Sequence, residues 1–217
     1  MKRGLALAVV LMAAALLPPG ADAHFGTGKK GYRSRIIAIK PAIAGIKAKV
    51  LYGDDQIWLD NHSGETVVIR GYSGEPYLRF GPGGIYVNGN SPAVYLNLDR
   101  YARSKLPKFA SATAKPNWQK LAGTEIWAWH DHRIHWMSPI PPKQILDAPR
   151  KRHHLWNWKV PATANGNRFA ITGSLDYVPP KKDGFPVGLA IVLGALIAVV
   201  SIGLLALRGV LKRSLET

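Results

Sequence analysis

The sequence predicts a mainly β fold: an antiparallel β-sandwich of Ig-like type over residues 24–178, followed by one C-terminal transmembrane helix. Three observations carry this. Short runs rich in Val, Ile, Thr, Tyr and Trp alternate apolar and polar residues and are divided by turn residues, as half-buried strands require. An Asn165-Gly166 pair separates two such runs, and Asn-Gly supplies the positive φ angles of a tight hairpin. Residues 187–207, VGLAIVLGALIAVVSIGLLAL, contain no charge. As a helix rising 1.5 Å per residue they reach roughly 31 Å, about the thickness of a hydrocarbon core.

The elements follow in order. Residues 1–23 read as a signal peptide: Lys2 and Arg3, an apolar run over 5–17, the breaker Pro18-Pro19-Gly20, and Ala21-Asp22-Ala23 as a small-x-small cleavage site. The mature chain then begins at His24, and residues 24–32, rich in glycine and lysine, form a flexible lead-in. RSRIIAIK, GIKAKVLY, QIWLD and ETVVIRGY are expected strands, with turns at Gly53-Asp54-Asp55 and His62-Ser63-Gly64. Residues 75–97 continue as short strands broken at Pro82-Gly83-Gly84 and Asn88-Gly89. Residues 98–124 lose periodicity and are expected to form a long loop with a helical turn at PNWQKLA. The segment WAWHDHRIHW follows, then an irregular connection stiffened by Pro139, Pro141, Pro142 and Pro149. A last hairpin, LWNWKVPAT and RFAITGSLDYV around Asn165-Gly166, closes the domain.

Residues 179–186 link to the span 187–207, and residues 208–217 form a tail. Arg208, Lys212 and Arg213 follow the span directly, which places the tail in the cytoplasm and the larger domain outside. The signal peptide implies the same orientation. The expected location is the cell membrane, with a single pass. Within the span Ala190, Gly194 and Ala198 stand four apart, a weak helix-pairing stripe.

Of the 29 Lys and Arg, 24 lie between residues 24 and 186, against 11 of the 13 Asp and Glu. The outer region therefore carries a formal excess of about 13 positive charges. Outside a cell, nucleic acid is not the expected partner; anionic lipid headgroups, an acidic envelope polymer or a partner protein are. The chain has no cysteine, which excludes disulfides, thiolate metal sites and thiol nucleophiles.

Three of the seven histidines, His130, His132 and His135, fall within six positions, beside Trp127, Trp129, Trp136 and Met137. On a continuous strand His130 and His132 share one face, and His135 joins them only through a bulge or turn. On a helix His132 and His135 share a face and His130 turns away. Three readings are open. One is a structural polar network in which Asp131 pairs with Arg133. Another is a copper or zinc site of His130, His132, His135 and the soft thioether of Met137, with His24, His62, His153 or His154 as further donors. The last is an acid–base site on Asp131 and a histidine, which lacks any accompanying nucleophile motif. A metal site requires neutral imidazoles, so its affinity is expected to decline near pH 6.5. The functions expected are a non-catalytic envelope binding module or, alternatively, a protein that binds or handles copper or zinc.

YRSRIIAIKPAIAGIKAKVL, GYSGEPYLRF, NSPAVYLN and above all WHDHRIHWM resemble an uncharacterised family of secreted, C-terminally membrane-anchored actinobacterial proteins. The resemblance implies the topology above and no catalytic residues.

Overall fold

The computed structural model describes residues 30–180 and 187–215; the signal peptide, His24 and most of the linker lie outside them. The chain divides into two compact units, residues 1–179 and 180–217. The first is mainly β. Its strands are β1 (Tyr32–Lys40), β2 (Ile46–Leu51), β3 (Gln56–Asn61), β4 (Val67–Arg70), β5 (Pro76–Gly81), β6 (Gly84–Asn88), β7 (Trp118–Ala122), β8 (Ile126–His130), β9 (His153–Ala164) and β10 (Asn167–Tyr177). They form two antiparallel sheets: seven strands in the order β1-β10-β9-β4-β5-β6-β7, and three in the order β2-β3-β8. Ile57 and Leu59 of the small sheet join Ile69, Phe80, Val160, Ile171 and Leu175 of the large one in a single core.

Alternation dictates these faces. In β3, Ile57, Leu59 and Asn61 are buried while Gln56, Trp58 and Asp60 are half-buried, the period of two of a pleated strand. The Asn165-Gly166 turn has φ of 44° and 86°, and it sets the register Asn167↔Ala164 between β9 and β10.

Four local expectations change. PNWQKLA holds strand β7 rather than a helical turn. The Asn117 amide donates to Asn88 Oδ1 at 2.8 Å and its carbonyl accepts from Gly89 at 2.8 Å, which docks the segment on the open edge of β6. NSPAVYLN forms helix α1 (Pro92–Leu96) instead of a strand: Ser91 caps it, accepting from the Ala93 amide at 3.3 Å, and Pro92 occupies the first turn, where no amide is needed. The proline-rich connection contains helix α2 (Lys143–Asp147). Neither the continuous strand nor the helix considered for the histidine segment forms: β8 stops at His130, and a single 3-10 turn (His132–Ile134) takes over.

The second unit is helix α3 (Val187–Leu215). Its side chains are described and exposed over residues 191–204. Among the described residues no helix is long and apolar enough to cross a membrane.

Candidate metal centre

The 3-10 turn exists because Asp131 caps it. The Asp131 carboxylate accepts from the Arg133 amide at 3.1 Å, and the Arg133 side chain returns to the same carboxylate at 2.8 Å from Nε and 2.6 Å from Nη2. Trp129 Nε1 adds a donor at 3.0 Å. Burial alone would raise the Asp131 pKa; the Arg133 guanidinium and these donors overcome it and hold the carboxyl below its ordinary range. The expected pairing of Asp131 with Arg133 is thus present. With its oxygens occupied in this way, Asp131 is a structural anion and a poor general base.

The turn solves a geometric problem that neither strand nor helix solves. It folds the chain back within five residues, so His130, His132 and His135 each bring one ring nitrogen within 4.8 Å of the others. His135 is fully buried, and His132 is 8% exposed.

Each ring is held through its second nitrogen. His130 Nδ1 faces Asp55 Oδ1 at 2.9 Å. His132 Nε2 faces the Leu96 carbonyl at 2.9 Å, and His135 Nδ1 faces the Trp136 carbonyl at 3.2 Å. All three partners are acceptors, so these nitrogens carry the protons. The remaining ones, His130 Nε2, His135 Nε2 and His132 Nδ1, present lone pairs inward. His130 Nε2 and His135 Nε2 stand 3.0 Å apart. His132 Nδ1 lies 2.7 Å from Met137 Sδ, itself a lone-pair donor.

The frame around the rings comes from several elements. Gln56 of β3 pairs with His130 of β8, which sets Asp55 beside the His130 ring. Arg100 fixes Asp54 at 2.7 Å and Asp55 at 3.1 Å. The end of α1 supplies the Leu96 carbonyl, and Tyr72 Oη accepts from the His132 amide at 2.9 Å while donating to Asn97. Burial raises the Tyr72 hydroxyl pKa, as does the nearby Asp131, so it stays a neutral donor and acceptor. Trp156 Nε1 donates to the Arg133 carbonyl at 3.0 Å. Met137, 38% exposed, forms part of the wall of a cavity of about 220 Å³ with Tyr72, Leu96, Ala102 and His132, which gives the cluster an approach from solvent.

The other histidines do not join. His62 pairs with Asp60 and Glu125, His153 Nε2 with the Ala148 carbonyl at 2.8 Å, and His154 Nδ1 with Asp176 at 2.9 Å. His24 lies outside the described residues. Sequence reasoning missed Asp55, Tyr72, Leu96 and Arg100. Asp54-Asp55 was legible only as a turn, and a backbone carbonyl leaves no signature in the side-chain pattern.

No protein family, curated protein or solved structure matches the chain. The reading of the site therefore rests on its own geometry.

Proposed function

We propose that this chain binds copper, as copper(I), through His130, His132, His135 and Met137, in an outer domain held at the cell membrane. The observation that supports it is the inward lone pairs. With their other nitrogens facing acceptors at Asp55 and Trp136, His130 Nε2 and His135 Nε2 face each other at 3.0 Å. A cation or a proton satisfies that arrangement. Ligating histidines characteristically donate their second nitrogen to a carboxylate or a backbone carbonyl, as all three do here.

The donor set selects the metal. Imidazole suits both zinc and copper, but a thioether favours copper(I). The set is neutral, so burying a monocation costs less than burying a dication. The envelope-module reading remains for the basic surface, and the two sheets with their shared core support a sandwich. The division into seven and three strands departs from the four and three of an immunoglobulin constant domain.

The full chain, purified in neutral detergent, should take up one copper(I) in competition with a chromogenic chelator and prefer it to zinc. Met137→Leu should erode that preference while leaving zinc affinity nearly unchanged. Equal effects on both metals, or no copper uptake, would refute the proposal. The membrane placement rests on the apolar run 187–207 and its basic flank. Protease added outside intact cells should digest the β domain and spare the tail after Leu207; the reverse pattern would invert the topology.

A further inference from the structure

A cavity lies away from the histidines, on the seven-stranded sheet. Its volume is about 550 Å³. Four adjacent strands, β1, β10, β9 and β4, contribute one cation each: Lys40, Arg168, Lys159 and Arg70. The register explains the convergence. Lys40 pairs with Ala170, Ala170 with Pro161, and Arg168 with Thr163, while Lys159 lies two residues along the same face from Pro161. Arg70 follows Ile69, which pairs with Ala162.

No acidic residue lines the cavity. Elsewhere in the domain Arg35, Arg100, Arg103 and Arg133 each take a carboxylate, as does Lys143. Among the described residues none of the four cavity cations does. Four like charges around one concave surface repel one another, and the walls concentrate their field. Buried Thr163 adds a hydroxyl to the wall, and buried Phe169 an apolar surface.

We infer that this cavity is an anion-binding site for a phosphate-bearing ligand with at least two anionic groups. Guanidinium and ammonium together match that chemistry: arginine engages paired phosphate oxygens, and lysine acts as a mobile point charge. The site shares no lining residue with the histidine cluster and does not depend on copper binding.

The test uses the full chain in neutral detergent, titrated calorimetrically with inorganic tripolyphosphate. The variant is Lys159→Gln with Arg168→Gln, both exposed and so compatible with folding. The control, Lys47→Gln with Lys120→Gln, removes the same charge from exposed positions outside the cavity. Wild type and control should bind alike, and the cavity variant about thirtyfold more weakly. A second arm distinguishes the source of phosphate. Protein reconstituted in phosphatidylcholine liposomes is offered phosphatidylglycerol vesicles or phosphatidylcholine ones. Capture of the anionic vesicles alone, lost in the cavity variant, identifies lipid headgroups; tripolyphosphate binding without capture identifies a soluble phosphate ligand. Equal weakening in variant and control, or no binding of either probe by wild type, overturns the inference.

Discussion

Replacing His130 and His132 together by alanine should weaken copper(I) binding more than about a hundredfold, because losing even an outer-sphere partner of a metal ligand costs 10–100-fold. The same change should abolish the thermal stabilisation that copper gives. Free ion at a hundred times Kd stabilises by about 2.7 kcal/mol, or roughly 5–10 °C in a domain of this size. Wild type should show that shift and the double variant none. If wild type shows no shift and the variant simply melts lower, the histidines are structural.

The pH dependence sharpens the test. Burial, and then the charge of Arg100, pushes His135 down from 6.5 to about 3; burial also lowers His132. Both rings therefore stay neutral below the ordinary imidazole range, and copper should be retained further into acid than the sequence-based expectation near pH 6.5. The sign for stability follows from linkage. Between about pH 6.5 and about pH 3 the unfolded chain binds a proton at His135 that the folded chain does not. Metal-free stability should be flat above pH 6.5 and fall on acidification through that window, by up to about 1.4 kcal/mol per pH unit. A metal-free melting temperature that rises on acidification would contradict the assignment.

Asp131→Asn should be the most destabilising single change near the site. It leaves the Arg133 guanidinium buried beside a neutral amide and turns one of the carboxylate acceptors that face Arg133 into a donor. Breaking a buried pair from one side costs about 3–5 kcal/mol, or roughly 10 °C of melting temperature. Adding Arg133→Leu should recover part of the loss, because the stranded charge goes with it. A shift within about 2 °C for Asp131→Asn would show that the pair carries little of the stability.

Strands β1 to β5 and the last hairpin were legible because alternation and turn residues encode them locally. The errors fell where a neighbour or a cap decided the outcome. Residues 118–122 become a strand because β6 offers an unpaired edge and Asn88 and Asn117 fasten them to it. Residues 92–96 become a helix because Ser91 and Pro92 start one, whatever the apolar content suggests. At the cluster, histidine density was visible, and so was the need for a turn to bring in His135. Its cause was not: Asp131 reads equally well as half of an ion pair, and only the fold shows it doing both jobs. The acceptors that orient the rings come from residues 36 or more positions away, beyond any local pattern, except for the Trp136 carbonyl.

The pairing of the first strand with the last constrains how the domain is made. β1 takes its strand pairing from β10, from Tyr32↔Tyr177 to Lys40↔Ala170. Closing a loop of that length precedes any reward from the contacts it makes, so sheets of this connectivity form slowly. While residues up to 160 emerge, β9 has no β10 and β1 no partner, and two long strand edges stand open to other chains. The domain cannot complete its sheet until β10 has been delivered, so the interval before residues 167–177 emerge carries the aggregation hazard and their arrival ends it.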